Sequence, residues 1–265
     1  MMAFLWKVRA FLKRDVATDV SYKVSFAFEA AHVVITVAAF FFFAQLVGTA
    51  RPDGYASFPF ILVGMTVNAY MTTCLVCFSQ TIKGSQVGGT LKAILATPTS
   101  PSAFLVCSST YPFLRASIDA FVYIGAGALF GLSLFAMNLG AAALVLVLSL
   151  LAFSSIGILS ASFVLVFKRG DPLLWLFGSG SWLLGGVLYP TDLLPAALQR
   201  LSDVLPITHA VNGMRAAVLA GASPAAIGGD LLWLAAFALV AVPASLMVFA
   251  LGVEHARRVG TLGHR

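Results

Sequence analysis

The fold is decided by residues 139–167, which read LGAAALVLVLSLLAFSSIGILSASFVLVF and contain no charged side chain. A transmembrane helix needs about 20 mostly apolar residues to cross a hydrocarbon core of roughly 30 Å. Strands of a membrane barrel would appear as stretches of alternating polarity, whereas residues 141–152 are continuously apolar and rich in helix formers. This stretch therefore predicts a helix that spans a membrane.

The composition of the whole chain points the same way. Of its 265 residues, 60% are hydrophobic and only 10% are charged, against roughly a quarter charged in an ordinary soluble domain. The mean hydropathy of +0.97 exceeds what one globular core can bury, so a soluble enzyme is excluded and the surplus apolar surface faces lipid. We predict an all-α membrane protein whose six transmembrane helices lie near residues 26–48, 58–82, 113–137, 139–167, 172–188 and 227–253.

Lysine and arginine residues set the expected orientation, because they concentrate in cytoplasmic loops. With a cytoplasmic amino terminus, twelve of them fall on the cytoplasmic side and three on the outer side, while Arg115 lies inside the third span. The twelve are Lys7, Arg9, Lys13, Arg14, Lys23, Lys83, Lys92, Lys168, Arg169, Arg257, Arg258 and Arg265, and the three are Arg51, Arg200 and Arg215. We predict a multi-pass protein of the plasma (inner) membrane with both termini in the cytoplasm. The net charge of +6 is divided among separate segments and does not indicate nucleic-acid binding.

Three cytoplasmic segments accompany the predicted transmembrane domain of residues 26–253. Residues 1–25 alternate apolar and basic side chains, which predicts an amphipathic helix on the inner leaflet; the alternative is a solvated basic arm. In the loop of residues 83–101, Gly88 and Gly89 precede a short amphipathic helix that Pro98 ends. That helix is either a docking element or an ordinary connector. Residues 254–265 form a cytoplasmic tail.

The outer segment of residues 189–227 is long but apolar. Its pattern predicts two short amphipathic helices broken at Pro206, each too short to cross the membrane. A re-entrant or interfacial helical hairpin accounts for this pattern. Non-helical backbone at membrane depth must be covered by protein or line a wet cavity, so we predict the mouth of a pathway here.

Two motifs resemble those of the type-2 ATP-binding-cassette (ABC) export permeases. Residues 89–100, GTLKAILATPTS, are similar to the Gly-Thr-Leu-Glu-x-Leu-Leu-x-Thr-Pro-x-Ser segment of that family. In the outer segment GGVLYP, LP and LPITHA, followed by Arg215, are similar to the family's Gly-x-x-Phe-Pro, Leu-Pro and Leu-Pro-Leu-Thr pattern, which ends in an Arg. The resemblance covers nearly the whole chain. Lys92 departs from it by standing where the family usually has Glu, which puts that contact with the ATPase in doubt or implies an acidic patch on the partner.

The resemblance implies a function. The chain is expected to be the membrane subunit of an ATP-driven exporter for an amphipathic substrate, which is a lipid, a lipid-linked glycan or a hydrophobic drug. It is expected to form a homodimer that binds two copies of a separate ABC ATPase subunit. No Gly-x-x-x-x-Gly-Lys-[Ser/Thr] motif occurs in the sequence, so we expect ATP and magnesium on the partner, and no catalytic residue or cofactor on this chain.

The same resemblance implies two groups of site residues. The residues that couple to the ATPase are expected to be Thr90, Leu91, Lys92, Ile94, Leu95, Thr97 and Pro98. The residues of the outer re-entrant segment or gate are expected to be Tyr189, Pro190, Pro195, Pro206, Thr208, His209 and Arg215.

Side chains inside the spans form a third candidate group, because polar residues are rare there and usually find partners. Glu29 and His32 share a helical face and form either a polar pair at an interface or a proton relay. The polar side of the second span packs between helices or lines a path, and the Phe run at 40–43 contributes channel-lining rings or faces lipid. The full group is Glu29, His32, Phe40, Phe43, Asn68, Thr72, Arg115 and Asp119, with Arg115 and Asp119 placed to neutralise each other.

The cysteines do not indicate a metal or redox function, and three other functions stay open. Cys74 and Cys77 lie inside a span, where Cys behaves as a small apolar residue, so we predict no metal or redox site. Three alternatives stay open: polysaccharide export within the same family, an ion-coupled secondary transporter, and a membrane-embedded enzyme or assembly factor. The secondary transporter would use Glu29, His32 and Asp119 as coupling groups, but the internal repeats it predicts are not found.

Overall fold

The computed structural model describes residues 6, 9–13, 16, 23–47, 57–89, 100–130, 132, 137–167 and 171–258. Regular structure within these ranges is helical. The α-helices are α1 (Lys23–Val47), α2 (Ser57–Val87), α3 (Pro101–Ala128), α4 (Leu139–Phe167), α5 (Pro172–Leu184), α6 (Ala196–Val204), α7 (Pro206–Leu219) and α8 (Gly228–Arg258), with a 3₁₀ turn at Thr191–Leu193. The prediction of an all-helical membrane protein is confirmed at this level.

Three helices of the described ranges are long and apolar enough to cross a membrane. They are Phe58–Val87 of α2, the whole of α4 and the whole of α8. Their bounds follow the apolar sequence: α4 has the predicted limits, whereas α2 and α8 each extend about one turn beyond the predicted end. The other three predicted spans correspond in position to α1, α3 and α5, so the count of six crossings stays a prediction.

The third helix begins earlier than the sequence predicts, at Pro101 rather than near residue 113. Ser100 caps it, because its side chain accepts a hydrogen bond from the backbone N–H of Ala103 at 3.3 Å, and a proline at the first helical position is already constrained to a helical φ. Pro112 lies within the helix without ending it. The predicted span therefore misses the first turns of α3.

The fifth helix is shorter than predicted, because it ends at Leu184 and not near residue 188. Gly185 follows it, and Gly186 has a φ of +65°, a left-handed conformation that glycine adopts without steric cost. The 13 residues of α5 cover about 20 Å, which is less than the roughly 30 Å of a hydrocarbon core.

Helix α4 lies at the centre of the bundle, where it packs against α2, α8 and α7. A small residue allows the close approach to α2, since a Cβ atom on Gly157 would lie 2.6 Å from the carbonyl oxygen of Cys74. At one end of this packing the Gln86 side-chain amide donates to the carbonyl oxygen of Leu165 at 3.4 Å. We refer to this end, where α2 ends and α3 begins, as the loop end.

Two short helices meet at Pro206, as the sequence predicts: α6 ends at Val204 and α7 begins at Pro206. Most residues of α6 are exposed, whereas most of α7 is buried against α2, α4 and α8. The hairpin is thus anchored by its second helix, at the end of the bundle opposite the loop end. We refer to that end as the Arg215 end. The position of the hairpin in a membrane stays a prediction.

Candidate functional site

Arg215 connects three segments at the Arg215 end of the bundle. Its side chain is 7% exposed. Nη1 donates to the carbonyl oxygen of Gly186 at 2.7 Å, Nη2 to those of Val187 (2.8 Å) and Phe60 (3.1 Å), and Nε to that of Phe60 (3.2 Å). The guanidinium carbon also lies 3.4 Å from the centre of the Phe60 ring, a cation–π contact. One side chain of α7 thereby holds the first turn of α2 against the chain that leaves α5.

The close approach around Arg215 depends on a glycine in α2. A Cβ atom on Gly64 would lie 2.2 Å from the carbonyl oxygen of Val187 and 2.7 Å from Nη2 of Arg215. Both distances are too short for real contacts, so any larger residue would displace the bonded groups. The sequence motif identifies Arg215, but it contains no signal for the requirement at Gly64.

Other predicted residues of the outer segment hold the hairpin together. The Tyr189 hydroxyl donates to the carbonyl oxygen of Leu183 at 2.5 Å. Ser202 donates to the carbonyl oxygen of Leu184 at 2.5 Å and lies 3.1 Å from the buried Thr208 hydroxyl. The prolines mark helix and turn starts, with Pro190 before the 3₁₀ turn, Pro195 before α6 and Pro206 in the first turn of α7. These contacts order the segment as a folded unit.

His209 links α7 to both neighbouring helices. Its Nδ1 lies 2.7 Å from Oδ1 of Asp230 in α8, and its Nε2 lies 2.9 Å from the carbonyl oxygen of Asp203 in α6. The imidazole also stacks on the Trp233 ring, with centres 4.4 Å apart, and Trp233 stacks on Phe237. Asp230 was missed by the sequence analysis, although a lone carboxylate at the start of an apolar helix is a signal for a partner.

The environment of His209 favours its charged form. Partial burial lowers the pKa of the imidazole. Hydrogen bonds to the Asp230 carboxylate and the Asp203 carbonyl, together with the charges of the two aspartates, raise the pKa by more than burial lowers it, so the net shift is upward. A carbonyl oxygen and an ionised carboxylate only accept hydrogen bonds. The doubly protonated imidazolium therefore satisfies both partners at once.

A polar cleft lies between α1, α2 and α3, about halfway along them. It encloses about 560 Å³, its open mouth included. Two of the predicted intramembrane residues, His32 and Asp119, meet in its lining, and Thr66, Tyr70, Thr73 and Tyr123 complete its polar surface. Thr73 belongs to the polar side of the second span that the sequence predicts to pack between helices or line a path. Sequence reasoning missed Thr66, Tyr70 and Tyr123, because hydroxyls on a helix carry no signal of the cavity they line.

The remaining intramembrane candidates lie elsewhere. Asn68 is buried, and its Oδ1 accepts a 2.6 Å hydrogen bond from Ser181 in α5, so it packs between helices. Thr72 donates to the carbonyl oxygen of Asn68, one turn back on its own helix, at 2.9 Å. Arg115 donates to the Tyr111 hydroxyl at 3.4 Å. The side chain of Glu29 lies outside the described residues.

The phenylalanine run of α1 divides into two faces. Phe40 is half-buried and lies 6.4 Å from Phe43, which is exposed. The ring of Phe41, in contrast, packs at 4.9 to 5.3 Å on those of Phe130 and Phe58. The best-packed ring of the run is therefore at 41, a position that the sequence analysis did not select.

The loop end carries the segment expected to contact an ATPase. Residues 90–99, which hold Thr90, Leu91, Lys92, Ile94, Leu95, Thr97 and Pro98, lie outside the described residues. Their two attachment points are described: Gly89, with a φ of +67°, ends α2, and Ser100 caps α3. Next to the second point, the ring of Phe11 from the amino-terminal segment packs edge-on against Phe104 at 6.2 Å.

The three cysteines, Cys74, Cys77 and Cys107, are buried free thiols. Within the described ranges no group of three or more His, Cys, Asp or Glu residues is placed to hold a metal ion. The polar groups described above thus consist of hydrogen-bonded anchors and one open cleft.

Long apolar helices with buried polar anchors between them are the architecture of a multi-pass membrane protein. Comparison with protein families identifies the family of membrane proteins to which the chain belongs. The ABC-2 type transporter family model matches residues 7–219, and the chain belongs to that family. It is therefore a transmembrane subunit of an ABC transporter, a role in which the ATPase is normally a separate subunit.

Curated relatives agree with this family. The chain is similar to the inner membrane transport permease YadH of Escherichia coli K12, at 25% identity over 185 residues, which cover 69% of this chain and 72% of the relative. The proteins of the same name from Escherichia coli O157:H7 and Shigella flexneri match with the same identity and coverage.

Proposed function

We propose that this chain moves an amphipathic substrate outward across the plasma membrane, as one of two permease subunits that each bind one separate ABC ATPase subunit. One observation carries the coupling part of the proposal. The amino-terminal segment, through Phe11 and Phe104, packs beside the attachment of the loop that resembles the family's coupling loop. This contact supports the proposal that the two segments expected to grip the ATPase act together at the loop end.

The outward direction comes from the resemblance to the export permeases, and coupling needs a link between the two ends of the bundle. The lysine and arginine distribution favours a cytoplasmic loop end, while the hairpin anchored by Arg215 lies at the opposite end. Closure of an ATPase dimer on the loops would move α2 and α3, because both attachment points are helix ends. That motion is carried to the Arg215 end, since Phe60 of α2 is bonded directly to Arg215.

The surfaces available for contact with the substrate support an amphipathic substrate. The longest connection between predicted spans forms a hairpin whose second helix is buried in the bundle, so it provides no separate binding domain. Cargo must then meet the spans themselves. Exposed apolar side chains of α1, which include Phe28, Ile35, Phe42 and Leu46, fit either lipid or the second permease subunit.

The coupling proposal is tested with paired loop variants in the complex of the chain and its co-purified ATPase. In the predicted loop helix, Leu91 and Ile94 share one face, and Ala93 and Ala96 lie on the other. We expect the double variant Leu91→Glu, Ile94→Glu to lose ATP-driven transport, and the control Ala93→Glu, Ala96→Glu to retain it. Equal transport by both variants would refute the assigned docking face.

A further inference from the structure

The buried apolar side chains of the described helices form two clusters along the bundle. The loop-end cluster includes Phe78 of α2, Leu105 of α3, Leu165 of α4 and Phe249 of α8. The Arg215-end cluster takes side chains from the same four helices and from α1 and α7, with Met214 among them. Each of the four long helices therefore passes from one cluster into the other, and we refer to the level where it does so as the boundary.

At the boundary α2 and α4 lie directly against each other. In α4, Ile156 belongs to the Arg215-end cluster and Ile158 to the loop-end cluster, so the boundary falls at Gly157. In α2 it falls between Leu75 and Cys77. A Cβ atom on Gly157 would lie 3.3 Å from the α-carbon of Leu75, so the backbones themselves are in contact. Neither helix has a proline at this level, and both are continuous through it.

A proline lies at the boundary in α3. Pro112 comes between Leu105 of the loop-end cluster and Ala116 of the Arg215-end cluster. Proline has no amide hydrogen, so position 112 gives no helical hydrogen bond to the carbonyl oxygen of Ser108, and the proline ring crowds that carbonyl. The next residue, Phe113, packs against both clusters. The helical hydrogen bonding of α3 is thus interrupted where the two clusters meet.

A second proline lies at the boundary in α8. Pro243 comes between Leu234 of the Arg215-end cluster and Phe249 of the loop-end cluster. It gives no helical hydrogen bond to the carbonyl oxygen of Leu239. Sharp bends in long helices occur mostly at such prolines. Two of the four helices that cross the boundary therefore have a bending point there, and the other two are in backbone contact.

We propose that α3 and α8 are hinged at Pro112 and Pro243, and that closure of the ATPase moves the loop-end cluster as one body by bending these two helices. A close-packed cluster moves as a unit, and the bending is taken up between the clusters. The unbroken α2 and α4 pivot at Gly157 and carry the displacement toward the Arg215 end. As a response to ATP this motion rests on the proposed function, but the hinges themselves do not require it.

The test measures distances between spin labels by double electron–electron resonance in the permease–ATPase complex in lipid nanodiscs, with labelled chain diluted in unlabelled chain. Labels are attached through a non-natural amino acid, because the chain has three buried thiols. Three pairs of exposed positions are used: Val106 with Leu251 in the loop-end part, Val122 with Leu232 in the Arg215-end part, and Val106 with Leu232 across the boundary.

Without nucleotide we expect a broader distance distribution for the pair that spans the boundary than for the other two pairs. On binding of a non-hydrolysable ATP analogue, we expect that pair to shift by several ångström while the other two stay unchanged. Equal widths of the three distributions in the nucleotide-free complex would overturn the proposal.

Proline variants then locate the hinges. The double variant Pro112→Ala, Pro243→Ala restores both amide hydrogens with a residue that favours helix. We expect it to keep or raise the unfolding temperature, to narrow the spanning distribution and to lower ATP-driven transport severalfold. A merely structural role of the prolines would not combine retained stability with lost transport. An unchanged spanning width in the double variant would contradict the assignment, and each single variant is judged by the same measure if the double variant is not monodisperse.

Pro172→Ala is the matched control. Pro172 is the first residue of α5, where an amide hydrogen has no acceptor within the helix. We expect the spanning width and transport of this variant to equal those of the wild type. A narrowing as large as that in the double variant would show that loss of any proline stiffens the bundle, against a specific role for Pro112 and Pro243.

The outcomes separate the hinges from the function. If ATP drives transport while the three pairs have equal widths, the hinges fail and the export function stands. If the spanning pair is broad and the double variant narrows it, while ATP drives no transport, the hinges stand and the export function fails.

Discussion

Nδ1 of His209 lies 2.7 Å from Oδ1 of Asp230, and this contact ties the buried helix of the hairpin to the first turn of α8. On its other side the imidazole lies 2.9 Å from the carbonyl oxygen of Asp203. The ring is therefore held between two acceptors from two different helices, with the Trp233 ring stacked on its face. The hairpin is thus fixed partly by an imidazole whose pKa the fold raises above its ordinary value.

The first prediction concerns pH. Because the pKa of His209 is raised in the folded protein, its stabilisation is fully present below the unfolded value of about 6.5 and is lost as the pH rises through the raised folded value. We expect Asp230→Asn to lower the unfolding temperature by a few degrees near pH 6, and by less near pH 8.5. Partial exposure of the pair keeps the effect small.

Thermal unfolding of the purified chain across this pH range checks the prediction. Asp192→Asn serves as control, since it removes a carboxylate from an exposed position, and its effect should not vary with pH in the same way. If the decrease in unfolding temperature caused by Asp230→Asn stays constant with pH, or grows at alkaline pH, the charged His209 does not stabilise the hairpin.

The second prediction concerns the close contact at Arg215. Gly64→Ala would place a Cβ 2.2 Å from the carbonyl oxygen of Val187, so the hydrogen bonds of Arg215 must lengthen or break. A hydrogen bond to a charged group contributes about 1.5–3 kcal/mol, and we expect both Gly64→Ala and Arg215→Ala to destabilise the protein strongly. The double variant should lose less stability than the sum of the losses in the two single variants, because both changes remove the same contact.

Gly125→Ala is the matched control for Gly64→Ala, since it lies in α3 with no atom within 4 Å of the added Cβ. It should be neutral or slightly stabilising, because alanine favours helix. Unfolding temperatures of the four variants give the comparison. Additive losses for Gly64→Ala and Arg215→Ala would mean that the two residues act on different contacts.

The third prediction concerns the amino-terminal segment. Phe11→Ala removes the ring that packs on Phe104, so we expect ATP-driven transport by the complex to fall severalfold while the chain stays folded. Trp6→Ala is the control in the same segment, since the Trp6 side chain is 71% exposed, and transport by it should stay near that of the wild type. Equal losses in both variants would argue against a specific role for the Phe11 contact.

Much of the fold follows from the sequence because its cause is local. An uncharged apolar stretch is enough to predict the bounds of α4. The helix break at Pro206 follows from a proline that cannot continue the preceding helix. The start of α3 is less evident, because Pro112 and the polar residues around it interrupt the apolar pattern, although Pro112 lies inside the helix.

The site is less predictable, because its contacts join residues far apart in the sequence. Arg215 is found through its motif, but its bond to Phe60 spans 155 positions. His32 and Asp119 are found as polar residues in apolar helices, yet only the packing of α1 on α2 and α3 places them in one cleft. Pairing of Asp230 with His209 requires the position of α7 inside the bundle, which no local pattern encodes.

The central claim is that ATP hydrolysis by a partner subunit drives transport through this chain. Its most direct test compares proteoliposomes that contain the chain with an active ATPase subunit and with a catalytically inactive one, using a fluorescent amphipath as cargo and an ionophore to collapse ion gradients. We predict that transport requires the active ATPase and persists when the gradients collapse. Transport that continues with the inactive ATPase and stops with the ionophore would contradict the claim.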